Sequence, residues 1–247
     1  MSILLAIESS TDLASVALHV ACAGNGNAGP RVCFRAASGV QSHSHTILPM
    51  VQAVLAEAGV TLRDCDAIAF GAGPGSFTGV RTACGLAQGL AFGSNRPVIA
   101  VDTLTATAQG CRDATGADDV LVVLDARMGE AYWGQYRWLD AEDGGAWTAI
   151  STARLDAPAR IAAQVAGRPA ACGNGFAVHA THFDGCDFAA SARADIMPHA
   201  IQVAHLAQRL LADGAAVAAR DALPVYLRND VARTTAERES RRLDVPA

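Results

Sequence analysis

Two distant segments of this 247-residue chain repeat one local pattern, and that repeat limits the folds open to it more than any other feature. In the first, the apolar run Ile3 to Ile7 meets Glu8, the polar residues Ser9, Ser10 and Thr11 follow, and apolar alternation resumes from Ala14 to Val20. In the second, Val120 to Leu124 ends in Asp125, a polar turn covers Ala126 to Glu130, and a second strand runs from Ala131 to Trp138. Strand, carboxylate, turn, strand occurs twice, as two lobes built on one plan would require. The competing reading is two unrelated hairpins that each carry an acidic residue in the turn.

The first half continues in a regular order. A loop of Gly and Asn at 24 to 29 leads to a third strand near Val32 to Ala36. Ser42 or Ser44 can cap a helix through Ala58, with Ile47, Leu48, Val51, Leu55 and Ala58 at spacings of three and four, and Pro49 is expected to kink its first turns. A buried strand at Ala67 to Phe70, the loop GAGPGS at 71 to 76, a helix from Phe77 to Phe92 and a strand at Pro97 to Val101 complete a βββαβα order followed by another strand. The second half is more mixed. A helix is expected around Ala157 to Val165, a strand at Pro169 to Cys172 and a GNGF turn at 173 to 176. An amphipathic helix over 195–213 follows, opened by Asp195, with Pro198 in its first turn and Ile196, Met197, Ala200, Ile201, Ala204, Ala207 and Leu211 in one stripe. The expected division is a first lobe over 1–102, a second over 103–228 whose last helix can cross back to the first, and a charged, frayed tail over 229–247.

Composition removes several function classes. The chain is 51% hydrophobic and 17% charged, which excludes a disordered linker, and no apolar run reaches the roughly 18 residues of a membrane span. A net charge of -5 gives no general attraction for nucleic acid. All 19 basic residues are arginine, so the lysine of a P-loop ATPase and the lysine of Schiff-base chemistry are both missing. Seven cysteines, at 22, 33, 65, 84, 111, 172 and 186, form no CxxC pair and fit reduced thiols. The opening MSILLAIESSTD has no basic n-region, so a cytoplasmic location without a secretory signal is expected.

The residues that could carry chemistry are few. GAGPGSFTGVR leaves a strand and enters a helix, a place where glycines admit a ligand and free helix N–H groups face an anion. Gly-rich turns of this kind also serve close packing, and both readings stay open. Gly85, Gly89 and Gly93 recur every four residues beside Thr82, although each interior glycine costs about 1 kcal/mol of helix propensity. The stripe therefore reads as a contact surface for another helix, between lobes or between chains. His43 and His45 are two apart on a helix and point to different faces, so a metal is not expected there. His179 and His182, with Asp184 and Cys186 beyond, match no metal template and read as surface-loop polarity. The GxSxG elbow is absent.

Several blocks together resemble the bacterial TsaB (YeaZ) family of tRNA threonylcarbamoyladenosine biosynthesis proteins: LLAIESSTDLASVAL, HSHTILPM, GPGSFTGVRTACGLAQGLAFG, VLDARMGEAYWGQY and PVYLRND. The resemblance implies an α/β fold of two actin-like lobes, each starting βββαβα, of the superfamily that includes hexokinase and Hsp70 (the ASKHA, or RNase H-like, fold). It also implies a subunit without chemistry of its own. Such a subunit pairs with TsaD, the related enzyme that transfers threonylcarbamoyl to an adenosine beside the tRNA anticodon, and with TsaE, a P-loop ATPase. Relatives use the first-lobe helices both for a homodimer and for TsaD, which places the partner interface at His45, Leu48, Val51, Thr82, Gly85 and Gly89. tRNA would be reached only through the complex, with no membrane involved. Glu8, Ser10, Gly73, Gly75 and Ser76 would form a residual phosphate turn, leaving room for weak nucleotide binding at the lobe or subunit interface and for no resident cofactor or metal.

Departures from the TsaD pattern support the non-catalytic expectation. Where that enzyme continues V-N-H-L-x-A-H, with two metal-binding histidines, this chain has Val101, Asp102, Thr103, Leu104, Thr105, Ala106 and Thr107. A hydroxyl replaces imidazole poorly on a transition metal. The second phosphate turn D-G-G-H-T becomes Asp125, Ala126, Arg127, Met128 and Gly129, and only Gly173, Asn174 and Gly175 stand in for the adenosine-binding glycine motif. Two rivals remain: a self-sufficient enzyme of the superfamily, either carbamoyltransferase or kinase, and a metallopeptidase of the M22 type.

Overall fold

The computed structural model describes residues 2–21, 30–38, 43–140, 145–164 and 168–228. The Gly/Asn loop at 24–29 and the tail at 229–247 lie outside them. Two sheets organise the rest. The first consists of β1 (Ile3–Glu8), β2 (Leu13–Val20), β3 (Arg31–Ser38), β4 (Ala67–Gly73) and β5 (Val98–Asp102), in the order β3-β2-β1-β4-β5. β1, β2 and β3 pair antiparallel, whereas β1–β4 and β4–β5 pair parallel. The parallel crossovers are made by α1 (His43–Ala58), which runs through Pro49, and α2 (Phe77–Ser94). After the connecting α3 (Thr103–Thr115), a second sheet is built from β6 (Asp119–Asp125), β7 (Ala131–Leu139), β8 (Ala146–Asp156) and β9 (Ala170–Cys172), in the order β8-β7-β6-β9. Its first two pairings are antiparallel and the last parallel. The β3-β2-β1-β4 core of the first lobe thus recurs in the second, as the twofold repeat requires.

Period-two alternation in β1 decides how the first lobe is layered. Leu5 and Ile7 face α1 and α2 and join Ile47, Val51, Val54, Ala83, Ala87 and Ala91 in one core. Leu4 and Ala6 face the other way and meet Ala200, Val203, Ala204 and Ala207 of α5 (Ala200–Ala212). On that side alanine dominates, at Ala6, Ala17, Ala67 and Ala69, so the helix backbone lies close to the sheet. The final helix therefore covers the first lobe. Its start differs from the expected 195: Pro198 disfavours helical geometry at Met197, and His199 becomes the N-cap, its Nδ1 accepting from Ile201 N at 3.3 Å. Ser15 Oγ also accepts from Ala200 N at 3.0 Å. Ile196 and Met197, expected on the same stripe, pack instead against the core of the second lobe.

Four other elements differ from the sequence reading. The helix expected at 157–165 is, among the described residues, only a 3-10 turn at Pro158–Arg160. Ala157 has no side chain to cap a helix, and Ile161 leaves the turn to enter the core with Phe176 and Phe183. α3 and β8 have no clear sequence signature. Four threonines lower the helix propensity of α3, yet Leu104, Ala108 and Cys111 fix it against β6 through Val120, Val122 and Leu124. A short helix, α4 (Gly175–Val178), replaces the expected GNGF turn at its second half.

Candidate functional site

The two repeated turns face each other across a cleft of about 510 Å³. The first-lobe wall comprises Ser10, Thr11, Asp12 and the loop Gly75–Phe77; the second-lobe wall comprises Leu124 to Arg127 and Asn174; and Val225 to Arg228 close one side. Within the first turn, the expected residues Glu8, Ser10, Gly73, Gly75 and Ser76 do converge, but mainly on one another. Glu8 is fully buried and its Oε1 accepts from Ser10 N at 2.5 Å. Burial pushes the Glu8 carboxyl above the ordinary glutamate range, partly offset by its hydrogen bonds to Ser10 and Ser9.

The glycines of the loop are explained by this packing. A Cβ at Gly71 would overlap the Glu8 carboxyl, one at Gly79 would overlap the Ser9 carbonyl, and one at Gly75 would lie 2.6 Å from Ser10 Cβ and Ser10 O. Ser76 N donates to Ser10 O at 2.7 Å and Ser9 Oγ donates to Gly79 O at 2.9 Å. Gly73, at φ 106, donates to Thr103 Oγ1 at 3.0 Å and backs onto the Val225 carbonyl. The first turn of the chain itself thus packs against one side of this loop, while Ser10, Gly75 and Ser76 also line the cleft. Of the two readings of GAGPGSFTG, close packing accounts for the glycines at 71, 75 and 79.

The second turn is built in another way. Arg127 and Met128 both adopt positive φ, at 62° and 59°, followed by Gly129 at 75°. Arg127 N donates to Asp125 Oδ1 at 3.0 Å, Asn174 Oδ1 accepts from Asp125 N at 3.0 Å, and His179 Nε2 lies 3.2 Å from Asp125 Oδ1. His179 is therefore a largely buried partner of the second-turn carboxylate, which corrects its reading as surface-loop polarity; His182 remains exposed. Arg127 also reaches across the cleft to Asp12 at 3.4 Å.

Thr103 and Thr107, the threonines for which the resemblance implied histidine in TsaD, are fully buried. Their hydroxyls serve the fold: Thr107 Oγ1 donates to Thr103 O at 2.8 Å, and Thr103 Oγ1 accepts from Gly73 N. Beside them Asp102 caps α3 by accepting from Thr105 N at 2.6 Å, and burial raises its carboxyl above the usual aspartate range. Among the described residues, no three His, Cys, Asp or Glu side chains converge as a metal site. Within the same limits, no helix is long and apolar enough to cross a membrane.

The candidate partner surface divides. His45 and Leu48 are exposed on α1, Leu48 at 41%, but Val51 is only 3% accessible and belongs to the core between α1 and the sheet. Val51 is thus corrected from an interface residue to a core residue; four positions on from the buried Ile47, it shares that residue's inward face. On α2, Thr82 is half-buried and donates to Thr78 O at 2.9 Å. Gly85 and Gly89 are exposed, and a Cβ at either, or at Gly93, would meet nothing within 4 Å. Packing inside the lobe does not require these glycines. Phe77, 56% exposed, and Phe92, 84% exposed, stand at opposite ends of the same helix. Sequence reasoning missed Arg228 and Tyr226 as cleft residues, because nothing local places chain positions so far apart around one turn.

Comparison with known proteins follows the same lines. The sequence model of the TsaD family, described as tRNA N6-adenosine threonylcarbamoyltransferase, matches residues 36–242. The tRNA threonylcarbamoyladenosine biosynthesis protein TsaB of Escherichia coli strain K12 is 38% identical over 232 residues, covering 93% of this chain and 96% of that protein. Its Haemophilus influenzae counterpart is 35% identical, covering 92% and 94%. Among solved structures, YeaZ from Pseudomonas aeruginosa superposes with a TM-score of 0.79 at 38% identity, over 92% of this chain and 100% of that one.

Proposed function

The chain belongs to the TsaB (YeaZ) family, and from that membership we propose that it acts in tRNA threonylcarbamoyladenosine biosynthesis as a non-catalytic partner subunit. In this reading a TsaD-like protein performs the transfer, a TsaE-like P-loop ATPase joins them, and tRNA is met only through the assembly. The chain alone forms a homodimer through the face that the TsaD-like partner would otherwise occupy, works in the cytoplasm and holds no resident cofactor. Nucleotide, if bound, is held weakly at a lobe or subunit interface.

The observation that carries this reading is the open stripe Gly85, Gly89 and Gly93 on α2. A monomer gains nothing from three interior glycines that touch nothing, and their helix cost of about 1 kcal/mol each is offset if a second helix backbone lies against them. Exposed Phe77 and Phe92 add apolar area at the two ends of that track. The closely packed first turn, the Arg127–Met128 obstruction in the second and the buried threonines at 103 and 107 support the view that chemistry belongs to the partner. Binding would then act by favouring one conformation of that partner's cleft.

Reconstitution of the modification with and without this chain tests the role: product is expected only when chain and TsaD-like partner are both present. Product made by the chain unaided would overturn the reading. For the surface, Gly89→Trp should weaken pairing with the TsaD-like partner at least about tenfold by calorimetry, or about 1.4 kcal/mol, with the far-ultraviolet spectrum of the isolated chain unchanged. Undiminished affinity removes the α2 assignment.

A further inference from the structure

The strand of chain after the last helix crosses the mouth of the cleft, and its two ends are held by different physics. At the first-lobe end the contacts are backbone and apolar. Ala222 is buried against the first-lobe core, and its carbonyl accepts from Gln88 Nε2 of α2 at 2.9 Å. Val225 N donates to Ala72 O at 2.7 Å. The Tyr226 ring lies 6.3 Å from that of Phe77, and the Arg81 guanidinium packs on both, 3.2 Å from the Phe77 centroid and 4.6 Å from that of Tyr226. At the second-lobe end, Leu227 packs against the core formed by β6, β7 and α3. Arg228 then grips the second turn: its guanidinium donates to Glu130 Oε2 at 2.6 Å and to Arg127 O at 3.3 Å, with Met128 Sδ at 3.6 Å.

From this we infer that Ala222–Arg228 is a clasp holding the two lobes at a set opening, latched where Arg228 grips the Arg127–Glu130 turn. The latch has a task, because two consecutive non-glycine residues of that turn sit in the left-handed region, each at a cost of about 1–2 kcal/mol. Arg228 binds the carbonyl between them and the glutamate that ends the turn. The other side-chain pair spanning the cleft mouth, Arg127 with Asp12, is exposed on both sides and contributes little. Arg228 is only 17% accessible, so its charge-assisted bonds are worth more. Chain crossings at Asp102–Thr103 and Met197–Ala200 also join the lobes, and α3 meets α5 where Gln202 Nε2 donates to Asp113 Oδ2 at 2.9 Å; the clasp adds a tie at the cleft itself.

The test is hydrogen exchange and X-ray scattering on the full chain. In Arg228→Ala, exchange at the Ala126, Glu130 and Val225 amides should quicken about five- to tenfold, and the radius of gyration should rise, while β1 and β6 amides keep their wild-type rates. The charge-exchanged double variant Arg228→Glu with Glu130→Arg should return both quantities part of the way toward wild type, through the ion pair alone because a carboxylate at 228 cannot donate to Arg127 O, and simple loss of packing would not allow this. Raised salt should reproduce the change in the wild type and add nothing to Arg228→Ala. Should Arg228→Ala fail to fold, Glu130→Gln reads the same latch by the same two measurements. Unchanged exchange, an unchanged radius, or a charge exchange that fails to restore either one overturns the clasp.

Discussion

The turn after β1 and the turn after β6 begin alike, with a carboxylate closing an apolar strand, and are completed by opposite means. In the first lobe the turn is sealed by backbone: Ser9 and Ser10 press into the places where Gly75 and Gly79 have no Cβ, and Glu8 lies beneath against Gly71. In the second, side chains do the work. Asp125 is held by His179 and Arg127, and Arg228 steadies a run of positive φ from outside. A shared topology therefore does not fix how a turn is stabilised. Glycines close one by removing volume, and charges hold the other by adding contacts.

The sharpest way to break this contrast is to add a methyl group to each turn. Gly79→Ala forces a Cβ into the Ser9 carbonyl, where backbone must move, so the loss of stability in denaturant titration should be about 3 kcal/mol or more. Gly129→Ala meets no neighbour within 4 Å and bears only the cost of its positive φ, about 1–2 kcal/mol. Equal losses would mean that the second turn is also closed by packing.

Next in size is the acid-side behaviour of α5, which ties the first lobe to the chain end. Burial holds the His199 imidazole below its ordinary value of 6.5, and His19, which pairs with Gln208 at 3.0 Å, is lowered for the same reason. A depressed folded value means that the stabilising, neutral form prevails above pH 6.5 and is lost as pH falls below it. Protonated Nδ1 cannot accept from Ile201 N. His199→Asn, which keeps a capping side chain, should lose less stability than wild type between pH 6.5 and 5, whereas His199→Ala should lose about 1 kcal/mol even at pH 8. Thermal unfolding across that pH range reads both.

Glu8 has the opposite sign. Its folded value is raised above 4.5, so its contribution is greatest at low pH and declines as pH rises from 4.5 toward the folded value. Glu8→Gln should therefore unfold at an increasingly higher temperature than wild type as pH rises above 4.5. A gap that does not change with pH would show that the carboxyl is not the titrating group. The smallest effect is expected for Arg127→Ala. Its pair with Asp12 is exposed and its guanidinium lies 3.5 Å from the buried Asp125 carboxylate, so stability should fall by about 0.5–1 kcal/mol in denaturant titration.

Much of the first lobe was legible in the sequence because local signals agreed there: β1, β2, β4, α1 and α2 each combine clear periodicity with turn or cap residues. The second lobe was less so. β8 is mostly half-buried and breaks its alternation where the register shifts, α3 is threonine-rich, and the stretch after Ala157 has helical composition without a cap. Of the candidate site, the glycine-rich loop and the α2 stripe were visible as spacings. The inward turn of Val51, the Asp125–His179 pair and the Arg228 latch were not, since each depends on which residues meet across the fold.

By itself, the sequence determined the repeated strand and turn plan, the threonines at 103 and 107, the absence of lysine and the positions of the glycines. These are local facts, set by residue type and spacing. Only the tertiary structure decided what the glycines are for: those at 71, 75 and 79 make room for the chain's own first turn, while those at 85, 89 and 93 face open space. The physical reason is that a missing Cβ has no meaning until its neighbour is known, and at 71, 75 and 79 that neighbour comes from a distant segment of the chain.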